Sequence, residues 1–272
     1  MPLDELPYAK EVEARLFFDS LDSIEVKVLR EILNGSLKIP LSEIADSLHI
    51  VETKLLTHIS KFSATGLLTI QKDCLFVDKD KRRFFEAHIQ KFDEDFEPNL
   101  PYLLTQLNKL PMDLVFEVFS IPRTADSLAS ALIERHFLTP KQYERFLADI
   151  LFQDRMLHEI LQEIFTTPNF TVPCESIRKK YKLTKEKLHE TIYLLEVHLV
   201  AALSYKKEGA RYQAVITPIH EWKELKCAHI ENKPEPLPSS KSIKIDSPSK
   251  VSSAEMAQMY RQEVGALLKN MQ

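Results

Sequence analysis

The sequence predicts a mainly α-helical chain with small β-hairpins, in which one module is used twice. Three observations lead there. A pattern of helix, turn, helix and hairpin runs from Val172 to Ile216. The same apolar frame occurs 133 positions earlier, since Ile39 falls on Val172 and 172 − 39 = 133. The chain of 272 residues is 44% hydrophobic and 28% charged, which suits ordinary soluble cores.

In the later copy, Ile177 and Tyr181 stand one helical turn apart, Leu183-Thr184 makes the turn, and Leu188, Ile192 and Leu195 recur at i, i+4, i+7. The β-prone runs Val200 to Tyr205 and Tyr212 to Ile216 flank Lys206-Lys207-Glu208-Gly209-Ala210-Arg211, where Gly209 is expected to supply a positive φ. In the earlier copy Ile44, Leu48 and Ile50 fall on Ile177, Tyr181 and Leu183, and Leu55, Ile59 and Phe62 on Leu188, Ile192 and Leu195. Leu67 and Ile70 then fall on Val200 and Leu203. Polar positions pair as well: Ser42 with Glu175, Asp46 with Lys179, Lys54 with Lys187, Thr57 with Glu190. A helix-turn-helix followed by a hairpin resembles the winged-helix family, in which the second helix of the motif enters a DNA groove and the hairpin lies along the backbone. The resemblance covers about 65 residues per copy, brings no catalytic signature, and implies a fold rather than a function.

In chain order, Tyr8 to Leu21 reads as a helix ending in Leu16-Phe17-Phe18, a cluster too bulky to leave in water. It is expected to pack on the first module, the simpler reading, or on a second subunit. Asp22-Ser23 offers an N-cap for a helix from Ile24 to Asn34 closed by Gly35. The first helix-turn-helix spans Leu41 to Phe62, and its hairpin is Leu67 to Gln71 and Cys74 to Val77 around Lys72-Asp73. Lys79 to Phe92 is a further helix; cations at its start oppose the helix dipole, a cost an anionic partner would offset, although a solvated face is the plainer account. Residues 1–92 thus hold an N-terminal helix and the first winged helix. After the acidic break Asp93 to Pro98 come helices near Tyr102 to Leu110, Met112 to Phe119 and Thr124 to Arg135, then a periodic helix opened by Thr139-Pro140 through Tyr143, Phe146, Leu147 and Ile150. They make 93–153 a helical connector, either a dimerisation surface or buried between the copies. The second winged helix takes 154–228, beginning with a helix from Met156 to Phe165. Residues 229–252, with Pro234, Pro236, Pro238 and Pro248 among serines and lysines, read as a disordered linker. Residues 253–272 recover helical spacing, with Met256, Tyr260, Val264, Leu267 and Met271 on one stripe. An isolated amphipathic helix of about 18 residues is marginal in water, so this stripe needs a surface: a partner protein's groove or its own chain.

Matched positions differ in charge. Around the first helix and turn of the motif, the first copy carries Ala45, Asp46, Ser47, His49 and Glu52; the second carries Arg178, Lys179, Lys180, Lys182 and Lys185. Two acids against five bases is −2 against +5, and Lys206, Lys207 and Arg211 add to the second wing. Phosphate contacts dominate non-specific affinity for duplex DNA, so such a rim suits a backbone grip; a solvated lysine-rich face is the other reading. The outward face of the second recognition helix holds Glu186, Glu190, Tyr193 and Val197, whose carboxylates disfavour a phosphate-lined groove. The first holds Thr53, Thr57, Ser60 and Ala64 flanked by Lys54 and Lys61, whose hydroxyls can bond phosphates or base edges. The expected DNA-binding set is Thr53, Lys54, Thr57, Ser60, Lys61, Lys72, Arg178, Lys179, Lys182, Lys185, Lys187, Tyr193, Lys206, Lys207 and Arg211.

Several classes are disfavoured. Only 4 glycines and no G-x-x-x-x-G-K or G-x-G-x-x-G argue against nucleotide-dependent catalysis. Nine histidines show no zincin spacing, and Cys74, Cys174 and Cys227 show no C-x-x-C, so no metal, cofactor or enzymatic role is expected and the thiols read as reduced in a cytoplasmic protein. The N-terminus lacks an apolar h-region, and no run of 18 apolar residues occurs, so no membrane contact is expected. The resulting expectation is a DNA-binding transcription regulator with tandem winged helices that also contacts the transcription machinery. The alternative is a winged-helix protein–protein assembly factor that does not read DNA. Expected partners are double-stranded DNA and a protein held by the stripe Met256, Tyr260, Val264, Leu267, Met271; a homodimer stays open.

Overall fold

The computed structural model of the chain describes residues 8–125, 127–151 and 155–224. It is mainly helical, with two three-stranded antiparallel sheets. Helix α1 (Ala9–Asp19) leads into α2 (Ser23–Asn34), β1 (Lys38–Pro40), α3 (Leu41–Leu48), α4 (Glu52–Ala64), β2 (Leu68–Gln71) and β3 (Cys74–Val77). Then α5 (Lys79–Ile89) runs into a 3₁₀ turn at Gln90–Phe92. A middle group follows: α6 (Leu100–Leu107), α7 (Met112–Val118), α8 (Leu128–Leu132) with a π turn at Ile133–Phe137, and α9 (Pro140–Leu151). Last come α10 (Arg155–Thr166), β4 (Val172–Pro173), α11 (Cys174–Lys180), α12 (Lys185–Val197), β5 (Ala201–Glu208) and β6 (Arg211–Pro218). The tether 229–252 and the stripe 253–272 lie outside the described residues.

Local chemistry sets the ends of α2. The Asp22 carboxylate accepts the amides of Ile24 and Glu25 at 2.9 and 2.8 Å, and Glu25 Oε2 accepts the Asp22 amide at 3.0 Å. This reciprocal box satisfies donors that have no carbonyl inside the helix. At the other end Gly35 is needed for close approach: a Cβ there would lie 2.6 Å from Ile39 Cδ1.

The order α2-β1-α3-α4-β2-β3 recurs as α10-β4-α11-α12-β5-β6, with strand orders β1-β3-β2 and β4-β6-β5. Helices α4 and α12 each have 13 residues and begin 185 − 52 = 133 positions apart. One cross-sheet row is Ile39, Leu75 and Ile70; its counterpart is Val172, Ile216 and Leu203. Left-handed residues repeat too: His49 (φ 54°) and Lys182 (φ 53°) in the helix–helix turn, Gly66 (φ 76°) and Leu199 (φ 59°) after the third helix. The hairpins differ, with eight-residue strands in the second and four-residue strands in the first. Gly209, at the tip of the second, has φ 61°.

Packing joins what the sequence separates. One apolar core contains Val28, Leu55, Ile59 and Leu75 from the first copy, Leu161, Ile177, Ile192 and Ile216 from the second, and Phe18 from α1. The cluster Leu16-Phe17-Phe18 is therefore absorbed within the chain: Phe17 meets Phe62 and Phe85 edge-on. The middle helices do not lie between the copies. They bury Leu103, Leu107, Val115, Phe119 and Phe137 against Tyr193, Val197, Leu199, Ala202, Ile219 and Trp222 of the second copy, which forms a second core. Prolines stand at the boundaries of these helices: Pro111 immediately precedes α7 and Pro140 is the first residue of α9.

Candidate functional site

The third helix of each module is where the copies part company. Helix α12 is enclosed by its own chain: His189, Thr191, Tyr193, Glu196 and Val197 are all buried. Helix α1 lies antiparallel along that face, with Asp19 Oδ2 2.8 Å from His189 Nε2 and Arg15 stacked over the Tyr193 ring at 5.4 Å. The expectation that Tyr193 is a DNA contact is corrected: its outward face is occupied by α1 and the middle helices, and only Lys185, Glu186 and Lys187 of this helix are exposed. Val197, expected on the same open face, is fully buried.

A buried group of charges lies in the seam between α1 and α12. Arg15 Nη2 donates to Glu196 Oε2 at 2.6 Å and to Glu11 Oε1 at 3.2 Å. Lys91 Nζ lies 3.8 Å from Glu196 Oε1, and that oxygen accepts the Leu203 amide at 2.9 Å. His88 Nε2 stands 3.5 Å from Glu11 Oε2. Burial disfavours a charged carboxyl at Glu11, but the His88 side chain and the charges of Arg15 and Lys91 outweigh it and hold the group well below the usual carboxylate range. Burial conversely pushes His88 down, so the imidazole is neutral, and it pushes Lys91 down against the pull of Glu196. Two cations then face two carboxylates, a balanced quartet. Asp19 completes the seam by accepting the Tyr205 hydroxyl at 2.8 Å.

These residues were not singled out from the sequence. The available signal was a charge inside an apolar run: Arg15 before Leu16-Phe17-Phe18 and Glu196 between Leu195 and Val197. An amphipathic-helix pattern assigns such charges to solvent.

The basic rim of the second module is partly paired with nearby carboxylates. Arg178 donates two hydrogen bonds of 2.7 Å to Glu175, and these, with the charges of Arg178 and Lys179, hold that carboxyl down to about 2. Lys179 stands 3.7 Å from Glu175, Lys180 2.6 Å from Glu163, and Lys187 3.0 Å from Glu190. Lys182, Lys185, Lys206 and Lys207 are exposed and have no ion-pair partner among the described residues. The second hairpin is tied at its tip through the backbone: the Ser23 amide donates to Ala210 O at 3.1 Å, and the main chains of Arg211 and Asp22 form an isolated antiparallel bridge. Its root is held by Tyr205, stacked on Phe92 with ring centres 4.0 Å apart.

Helix α4, by contrast, buries only Leu55, Ile59 and Phe62. Thr53, Lys54, Leu56, Thr57, Ser60, Lys61 and Ala64 are exposed, as is Lys72 at the tip of its hairpin. Two of its three hydroxyl donors are already used: Thr57 Oγ1 donates to Thr53 O at 3.3 Å and Ser60 Oγ to Thr57 O at 2.7 Å. Lys61 is drawn 2.6 Å from Glu25. Exposed large apolar side chains gather on this module, namely Ile24, Leu37, Val51, Leu56, Ile70 and Phe76; among the described residues only Met112 lies elsewhere.

Asp22, Glu25 and His58 lie close enough together to ligate a cation. Their carboxylates are committed to the cap of α2, and Lys61 already supplies the positive charge, so the cluster is accounted for by folding. No helix among the described residues is long and apolar enough to cross a membrane. In comparisons with known proteins, no family model and no curated protein matches the chain.

Proposed function

We propose that the two repeated modules are winged helices and that the chain is an assembly factor docking protein through the first module, while the second is structural. One observation supports this above others: of two equivalent third helices, α12 is covered by its own chain and α4 is open. The open face mixes Val51 and Leu56 with Thr53, Thr57, Ser60 and Ala64 and carries few free cations. A mixed face of this kind, with little free positive charge, suits a protein surface better than a phosphate backbone. The test compares the full chain with Leu56→Asp and with Lys182→Glu/Lys185→Glu as baits. Docking predicts a stoichiometric partner lost from the first and kept by the second; equal recovery on all three rejects it.

The second reading, a DNA-binding transcription regulator, draws on Lys182, Lys185, Lys206 and Lys207, which stay exposed and unpaired among the described residues. Titration of labelled random duplex at two salt concentrations separates the two. Backbone grip predicts that log K falls with log salt by about 0.9 for each phosphate neutralised, and that charge reversal at Lys182 and Lys185 flattens the slope. Weak binding without a slope leaves the docking reading alone.

A further inference from the structure

The cover over the second module marks out what the first leaves bare. The middle helices bury Tyr193, Val197, Leu199 and Ala202 in the second core. Subtracting 133 from those positions gives Ser60, Ala64, Gly66 and Thr69, and all four are exposed. Thr217, the cross-strand partner of Ala202, is buried as well, whereas Phe76, the cross-strand partner of Thr69, is 37% exposed. The floor so defined runs from the C-terminal half of α4 through the turn at Gly66 onto β2 and β3, and it carries no charge. Its deepest difference from the second module is at Gly66. Leu199 at the matching position is fully buried, while a Cβ on Gly66 would meet no atom within 4 Å. Because protein interfaces of this kind close-pack, a floor of small residues takes its bulk from the other side.

We infer that this floor takes an amphipathic helix of another protein, with large apolar side chains on one face and acidic residues on its flanks; this rests on the docking reading above and names the class of partner. The second module supplies the template. Helix α6 packs on α12 and places Leu100, Leu103, Leu104 and Leu107, at i, i+3, i+4, i+7, in the core that covers the matching floor. Charge at the margin sets the flanks. Lys38 Nζ stands 5.6 Å from the centre of the Phe76 ring and Lys72 sits at the hairpin tip, both without an ion-pair partner among the described residues. Asp73 is the acid beside them, so the margin sums to +2 − 1 = +1, and Lys61 is already matched by Glu25. Acidic flanks on the arriving helix complement that margin. A second copy of the chain fits less well, because a two-fold contact sets the same patch against itself: small residues on small residues, cation towards cation.

The experiment selects ligands for the full chain from a randomised peptide library displayed on phage. The expected result is enrichment of peptides with large apolar residues at i, i+3, i+4, i+7 and a net negative charge. Synthetic copies should gain helix on binding and lose about tenfold or more in affinity with Phe76→Ala or Thr69→Glu. They should lose severalfold with Lys38→Glu/Lys72→Glu and keep their affinity with Met112→Asp, which alters the exposed apolar residue outside the module. If Phe76→Ala lowers stability in urea, Thr69→Glu, at an exposed position, carries the test. No enrichment, or ligands that are basic or bind as extended chains, would overturn the inference. So would a dimer in sedimentation that Thr69→Glu dissolves, which assigns the floor to a second copy, or binding of a labelled duplex that depends on Phe76, which assigns it to nucleic acid. The two readings fail separately. Ligands lost with Leu56→Asp but indifferent to Phe76→Ala and Thr69→Glu keep the docking helix and remove the floor; ligands indifferent to all three remove both.

Discussion

Glu196→Gln and Arg15→Met, alone and together, test whether the buried quartet is what seats α1 on α12. Glutamine keeps the acceptor for the Leu203 amide (2.9 Å) but sets an amide NH2 where Oε2 accepts Arg15 Nη2 (2.6 Å), so it removes that hydrogen bond together with the charge. With Arg15, Lys91, Glu11 and Glu196 all charged the quartet sums to zero; Glu196→Gln leaves +1, Arg15→Met leaves −1, and the double variant returns to zero. Breaking a buried pair costs about 3–5 kcal/mol because it strands an uncompensated charge. Glu11, at 3.2 Å from Arg15, remains in the first variant, so the lower end of that range applies, about 3 kcal/mol. For a protein of this size about 3 kcal/mol corresponds to a fall in Tm of roughly 6–12 °C. The double variant should cost less than the sum of the singles by about 1–3 kcal/mol, the coupling expected of touching residues. Urea unfolding and calorimetry measure all four proteins. Additivity within about 0.5 kcal/mol, or singles costing under about 1 kcal/mol, would refute the assignment of the quartet as the seat of α1.

Three further outcomes follow from the packing. His198 is buried with Nδ1 2.7 Å from Leu194 O, and burial lowers its pKa to about 4 from 6.5 despite that hydrogen bond. Between those values the unfolded chain binds a proton that the folded chain refuses, so stability falls as pH drops from 6.5 to 4, by about 3 kcal/mol from this group, and levels off below; His198→Asn should flatten that part of a stability–pH curve. Gly35→Ala should cost about 1–3 kcal/mol by driving Cβ into Ile39 Cδ1, and adding Ile39→Val, which removes that atom, should recover most of it in the same urea titration. The matched left-handed positions should respond unequally. Gly66→Ala, with nothing within 4 Å, costs only backbone strain of about 1 kcal/mol, whereas Leu199→Gly relieves that strain yet loses a fully buried side chain worth about 2–5 kcal/mol.

Much of the backbone course could be read from residues alone, because local signals and tertiary packing agree there. Asp22 and Glu25 cap α2 through contacts a few residues apart. Gly209 takes the positive φ its hairpin needs. Helix α4 buries Leu55, Ile59 and Phe62, the i, i+4, i+7 stripe. Reading failed at α12, where the same stripe is correct but the opposite face is buried too. Periodicity reports which face turns to the first core; it carries no information about a second body landing on the other side. Arg15 and Glu196 show the same limit: each looks like a surface charge until its partner, 181 positions away, is placed beside it.

The amino-acid order by itself determined the helices, the turns, the hairpins and the repetition of one frame, since each depends on interactions among near neighbours along the chain. Which copy keeps an open third helix was decided only in the tertiary structure, where α1 and the middle helices converge on α12 and leave α4 bare. Burial and charge pairing across long sequence separations have no local signature, so the difference between a covered face and a free one appears only once the chain has closed on itself.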